Sequence, residues 1–163
     1  MIEPPGHTWR GLMDLALAQA MAAGQEGEVP VGAVLVSAEG RLLGAARNRT
    51  ITDHDASAHA EILCLRQAGR LVGNHRLAGS ILAVTLEPCL MCVGALIQAR
   101  VAGVVFGAAD PKAGALVSRL TPTDYAYANH AFAVLGGVLA EECGGLISRF
   151  FAARRKERRG GRE

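Results

Sequence analysis

Apolar residues recur with helical spacing early in the chain, at Trp9, Leu12, Met13, Ala16, Leu17, Ala20 and Met21. The pattern predicts an amphipathic helix over 9–23, with Thr8 as its cap and Gly24 as its stop. The period then changes: 29–36 is a nearly unbroken apolar run that reads as a buried strand, and Ala38-Glu39-Gly40 turns it into a second strand over 41–46. Polar and turn-forming residues over 48–58 predict a loop that delivers the chain to a helix carrying His59 and Glu61 and stopping near Gly69. A strand over 81–85, a helix bearing Cys89 and Cys92 as far as Ala99, and a strand over 101–106 follow. Strand, helix and strand in so short a span predict a parallel pair with a right-handed crossover, the arrangement that places ligands off the strand ends. Residues 110–130, with Pro111, Gly114 and Pro122, read as loop and a short helix, before a strand over 132–135 and a final helix from Val138 into the Arg-rich end. Gly144 and Gly145 inside that helix cost about 1 kcal/mol each relative to Ala and imply close packing or a kink.

Composition narrows the class. At 163 residues and 50% hydrophobic content, the chain suits a single globular domain over 1–163 that buries about two-thirds of its unfolded surface. This apolar content excludes disorder. No apolar run approaches the roughly 18 residues of a membrane span, and no charged-then-apolar leader opens the chain, so a cytoplasmic protein with no membrane partner is expected. The formal charge of +2 is uneven: from position 149 onward seven basic residues face two acidic ones, a net of +5, and the rest carries −3. Basicity belongs to a C-terminal helix or tail. Of the four cysteines, Cys64 and Cys143 read as buried small apolar residues of a reducing compartment.

The other two have metal spacing. Cys89 and Cys92 stand one helical turn apart, so their sulfurs share a face and can close on one ion at about 2.3 Å each. Pro88 suits the first helical turn, and the free N–H groups and dipole of a helix start favour thiolate there. His59 and Glu61 are two apart, about 200° on a regular helix, which excludes a shared-face metal pair. At a helix opening both can still face one mouth, as one ligand and one proton carrier. Three protein ligands, His59, Cys89 and Cys92, leave tetrahedral zinc an open position for water, whose pKa the metal lowers to about 7. The Glu61 carboxylate beside that water can take its proton and pass it on. The competing reading is a structural zinc with Cys64 or Cys143 as fourth ligand, which leaves Glu61 without a role.

His-x-Glu followed by Pro-Cys-x-x-Cys is the signature of zinc nucleobase deaminases. More narrowly, Glu28-Val29-Pro30-Val31-Gly32-Ala33-Val34, Ala58-His59-Ala60-Glu61-Ile62, Val84-Thr85-Leu86-Glu87-Pro88-Cys89 and Val104-Val105-Phe106-Gly107-Ala108 resemble, in order, the bacterial tRNA-specific adenosine deaminases of the cytidine deaminase family. The resemblance implies an α/β fold, a three-layer α/β/α sandwich with a mixed sheet of the five strands predicted above. It implies hydrolytic deamination of adenosine to inosine at the wobble position of a tRNA anticodon. One zinc per subunit, no organic cofactor, a homodimer and the anticodon stem-loop as partner come with it.

The same resemblance assigns roles. Glu61 becomes the proton shuttle, giving its proton to the ring nitrogen beside the attacked carbon and helping ammonia leave. Asn48 enters the base pocket, walled by Val29 and the backbone of Ala60. Asp110 contacts the target nucleotide and Lys112 a phosphate. Asn129 and His130 match an RNA-contacting pair, although the family often continues with Arg where Ala131 stands here. Phe151, Arg154 and Arg155 lie in a basic, aromatic tail suited to a phosphate backbone and splayed bases. Each has a plainer reading: Asn48 and Asp110 as turn formers, Val29 as a strand residue, Lys112 as a solvated charge, the tail as a frayed helix end. His7, His54 and His75 read as surface or loop residues. Two other functions use the same motifs: a zinc deaminase of a free base or nucleoside of the guanine or cytosine type, and a non-catalytic RNA-binding partner subunit, against which retention of Glu61 argues.

Overall fold

The computed structural model describes residues 1–160, apart from the side chains of Pro122 and Thr123; positions 161–163, the end of the expected basic tail, lie outside the described residues. Helix α1 (Trp9–Gln25) starts where the Thr8 hydroxyl accepts the Gly11 N–H at 3.0 Å, and it runs through Gly24 to end at Glu26. Strand β1 (Gly32–Val36) begins later than the apolar run suggests. Pro30 has no N–H for a ladder, and the Val31 N–H closes onto the Val29 carbonyl at 2.8 Å, so 29–31 is a lead-in instead. Strand β2 (Leu42–Arg47) pairs with β1 across a register shift at Leu35/Val36.

Helix α2 (Ala60–Val72) passes through Gly69 and stops at Gly73, whose φ of 71° is the left-handed conformation that glycine adopts without steric cost. Strand β3 (Ile81–Leu86), helix α3 (Leu90–Ala99) and strand β4 (Gly103–Ala108) form the expected crossover. A short 3-10 turn (Pro122–Tyr125), strand β5 (Ala133–Leu135) and helix α4 (Ala140–Gly160) complete the described chain.

The sheet order is β2-β1-β3-β4-β5. β1 is antiparallel to β2 and β3, whereas β3, β4 and β5 are parallel. Alternation along each strand divides the core. Ala33 and Leu35 face Ala60, Cys64 and Ala68 of α2 and Val93 and Leu96 of α3. Val34 and Val36 face Leu12, Met13 and Ala16 of α1 and Cys143 of α4. Helices therefore cover both faces, which is why the central strands are apolar throughout instead of alternating. Cys64 and Cys143 are buried thiols, as their composition suggests, and burial pushes them up to about 12 and about 11. Gly144 is not tightly packed: a Cβ there would meet only the Ala108 Cβ, at 3.7 Å. Among the described residues no helix is long and apolar enough to cross a membrane.

One end of this sheet collects the chemistry. The C-terminal ends of β3 and β4, the C-terminal end of antiparallel β2 and the N-terminal end of β1 all point the same way. The loops leaving or entering there carry Asn48, His59, Cys89 and Asp110.

Candidate metal centre and substrate pocket

His59 is the residue before the first turn of α2, with extended backbone (φ −72°, ψ 152°) and no side-chain capping bond. Its ring is therefore free to turn sideways. Cys89 holds the equivalent position at α3 (φ −78°, ψ 171°), which puts Pro88 just outside the helix, one step earlier than its expected place in the first turn. Cys92 follows one turn on. His59 Nδ1 lies 3.7 Å from Cys89 Sγ and 3.6 Å from Cys92 Sγ. Tetrahedral zinc with ordinary Zn–S and Zn–N bonds requires an N···S edge of about 3.5 Å, so the three donors fit that ion. All three ligand atoms lie within 4.8 Å of one another, and among the described residues no fourth His, Cys, Asp or Glu completes the set.

The protonation pattern agrees. A hydrogen bond from Cys92 and the neighbouring His59 bring the Cys89 thiol down to about 4, against its burial. The hydrogen bond to Cys89 and burial drive Cys92 upward. Two sulfurs so close hold one thiolate by themselves and need a cation to hold two. The hydrogen bond with Cys89 raises His59, opposed by burial.

Glu61, in the first turn of α2, is 3% exposed, and among the described residues its Oε2 has no hydrogen-bond partner. Burial raises its pKa, partly offset by a backbone hydrogen bond and by His59. A buried carboxyl oxygen without a partner is costly in a structural role and useful where a reactant supplies the missing bond. His59 does not cap α2, and Asn48 does so in its place: its Oδ1 accepts the Ala60 N–H at 2.9 Å, and its own N–H donates to the Val31 carbonyl at 3.1 Å. One residue, through its side chain and its backbone, thereby ties the lead-in to β1, the end of β2 and the start of α2 together at the rim of the cavity.

That cavity, about 220 Å³, is lined by Val29, Asn48, His59, Glu61, Cys89 and Asp110 together with Val31, Thr50, Leu86, Glu87 and Ala113. Its size is below the range of pockets that engulf drug-sized ligands, and it suits one nucleobase-sized group with the remainder outside. Val29 also borders a second hollow formed by Ile51, Phe150, Phe151, Arg154, Arg155 and Arg158 of α4. There Phe150 and Phe151 meet edge to face at 5.4 Å, and the Arg154 guanidinium lies 5.6 Å from the Phe150 ring centre. Asp110 does serve a turn, its Oδ1 accepting the N–H groups of Lys112 at 2.9 Å and Ala113 at 3.3 Å. Lys112 is exposed on that loop.

Asn129 and His130 are not brought to the pocket. The Asn129 carbonyl accepts from Arg100 at 2.6 Å and the His130 ring bonds the Val101 carbonyl at 2.7 Å. Arg100 and Val101 enter β4, so both residues sit at the opposite end of the parallel strands from Cys89 and Asp110. They brace the turn before β4.

Two buried acids outside the predicted site set, Glu28 and Glu87, hold the loops that flank the cavity. Glu28 is fully buried and accepts the N–H groups of Ile51 (3.0 Å) and Thr52 (2.7 Å), fastening the loop after Asn48. Burial raises its pKa, but the donors of Thr52, Ile51 and Thr50 outweigh that and hold it below the ordinary carboxylate value. Glu87, 2% exposed, fastens the facing loop. Burial opposes its ionisation, yet Ser118 and the N–H groups of Asp110 and Val117 bring it down to about 2. Their signal was available: each is a lone charge at the end of an otherwise apolar strand run.

An α/β/α sheet presenting a His-Cys-Cys donor set beside a buried acid defines a zinc-dependent deaminase domain. The chain belongs to the family described as the cytidine and deoxycytidylate deaminase zinc-binding region, whose model matches residues 8–108. It is 46% identical over 148 residues to the tRNA-specific adenosine deaminase of Haemophilus influenzae, covering 91% of this chain and 86% of that one. The tRNA-specific adenosine deaminase of Bacillus subtilis is 44% identical over 93% of each chain. A solved structure from work on A-to-I editing by tRNA:A34 deaminases superposes with a TM-score of 0.80 at 42% identity, covering 83% of this chain and 97% of that one.

Proposed function

We propose that this chain deaminates adenosine to inosine at the wobble position of a tRNA anticodon, using water and releasing ammonia. The observation that carries the reading is the unpartnered, buried Glu61 oxygen beside three zinc-spaced donors at the floor of a base-sized cavity. His59, Cys89 and Cys92 would hold one zinc per subunit, and the bound ion would supply Lewis acidity that lowers the pKa of a water in the open position to about 7. Glu61 takes one proton from the attacking water and delivers it to the ring nitrogen as the C–O bond forms, then moves the remaining hydroxyl proton to the departing amine as the C–N bond breaks, leaving a carbonyl and ammonia. Asn48 and the Ala60 backbone orient the base, Val29 packs against it, and Asp110 meets the sugar and backbone at the rim.

The flanking nucleotides extend over the Phe151, Arg154 and Arg155 surface, with Lys112 as a further phosphate contact; aromatic rings and guanidinium groups suit unstacked single-stranded bases. The working form is a homodimer in the cytoplasm. In support, Leu90 and Met91 at the start of α3 and Val117 nearby are exposed at 57%, 39% and 53%, an apolar surface that a second copy can cover. Sedimentation equilibrium giving a monomer at all concentrations would remove the dimer.

The test is product analysis after incubation with an adenosine-containing anticodon stem-loop, beside free adenosine, guanine and cytosine. Inosine in the stem-loop is expected. Turnover of a free base or nucleoside alone would establish the small-molecule deaminase, and no turnover by zinc-loaded protein would establish the non-catalytic subunit.

A further inference from the structure

The loop over 110–118 forms one wall of the cavity without forming a helix or strand, and one carboxylate organises it. Glu87 Oε1 accepts the N–H groups of Leu116 (3.0 Å), Val117 (2.7 Å) and Ser118 (2.9 Å). Its Oε2 accepts the Asp110 N–H at 3.0 Å and the Ser118 hydroxyl. The loop is also sewn to the metal-binding segment: the Ala115 N–H donates to the Pro88 carbonyl at 2.9 Å, and Gly114 bridges to Cys89. The fit leaves no room for a side chain at Gly114, where a Cβ would come within 2.3 Å of the Glu87 carboxyl.

Although Glu87 lines the cavity, five donors fill a group that offers about four lone-pair sites, so no oxygen is left to exchange a proton with a substrate. It is therefore distinct from Glu61, whose Oε2 is free. We propose that Glu87 is a positioning residue: its carboxylate templates the 110–118 loop, sets Asp110 and Ala113 against the bound nucleotide, and steadies the backbone of Cys89. The inference rests on the deaminase reading for its substrate. Glu28 holds the facing loop over 50–52 in the same manner, so buried carboxylates clamp both walls.

Glu87→Gln makes a directional test. The amide oxygen can keep the Leu116, Val117 and Ser118 donors, and the Ser118 hydroxyl can rotate to accept from the new NH2. The Asp110 N–H cannot, and it alone loses its acceptor. Amide hydrogen exchange should accelerate about tenfold or more at Asp110 with smaller changes at 116–118, as expected for loss of a charged hydrogen bond. Zinc content should stay at the wild-type level, while KM for the anticodon stem-loop rises about tenfold and kcat stays within about threefold. Asp110 exchange and KM both within about twofold of wild type, or a loss confined to kcat, would overturn the proposal. If Glu87→Gln is not recovered folded, Ser118→Ala carries the test, with a KM rise of about threefold expected and unchanged KM and exchange counting against it. Wild-type protein inactive on every stem-loop would sink the deaminase reading, and the exchange measurement would then judge Glu87 alone.

Discussion

Glu61 and the residues around it separate chemistry from scaffolding. Among the described residues Glu61 touches no partner through Oε2, so Glu61→Ala should leave zinc content and melting behaviour close to wild type while turnover falls by about a hundredfold or more. Cys92→Ser should behave differently, lowering metal occupancy and activity together, because a ligand is lost. Metal analysis alongside rates distinguishes the two, and parallel loss of zinc in Glu61→Ala would place Glu61 among the ligands instead.

Glu28 gives a prediction in pH. Its pKa is held below the ordinary value, so its stabilisation is fully present above the unfolded value of about 4.3 and is lost as pH falls through the lower folded one. The urea midpoint of wild type should therefore exceed that of Glu28→Gln near neutrality, and the gap should narrow as pH drops from about 5 toward 3. A gap that stays constant across that window would show that the carboxylate charge is not what fastens the loop.

Among the elements, α4 forms where its sequence places it, and its glycine pair is the part that needs an account. Its paired glycines, read as close packing or a kink, divide: a Cβ at Gly145 would come within 3.0 Å of the Arg149 guanidinium, whereas the Ala108 Cβ leaves ordinary van der Waals room beside Gly144. Gly144→Ala should then stabilise the protein by up to about 1 kcal/mol, read as a higher denaturation midpoint, because alanine restricts the unfolded chain and favours helix. A lower midpoint would mean that contact with Ala108 is tighter than 3.7 Å allows. The termini of α2 and α3 behave in the opposite sense. Their first-turn donors are not served by His59 or Cys89, and at α2 Asn48 serves instead, which leaves the imidazole for the metal set.

For the molecule as a whole, α4 lines a hollow that shares Val29 with the cavity: Arg154 reaches the Gly27 carbonyl at 3.4 Å, and Arg155 and Arg158 border that hollow. This placement sets basic side chains beside the pocket. Neutralising Arg154, Arg155, Arg158 and Arg159 should weaken stem-loop binding and flatten its salt dependence by about 0.7 per lost phosphate contact, measured by titration at several salt concentrations. Affinity insensitive to salt would contradict the phosphate contacts.

The donor set was legible because metal chemistry imposes short, local spacings: Cys89 and Cys92 must sit one turn apart, and His-x-Glu at a helix opening can serve as ligand and acid. The strand runs were legible because a sheet covered on both faces must be apolar throughout. Asn129 and His130 show where that reasoning stops. Their motif predicts contact with RNA, yet the parallel direction of β4 and β5 carries them to the other end of the sheet.

Local sequence thus determined which atoms can bind zinc and which segments become helix or strand, since both depend on residues a few positions apart. Tertiary structure alone decided that Asn48 caps a helix from the end of another strand, that α4 borders the hollow beside Val29, and that Glu28 and Glu87 hold the walls of the cavity. Those contacts join residues 12 to 127 positions apart. No local periodicity encodes such pairings, which exist only once the sheet order brings the strand ends together.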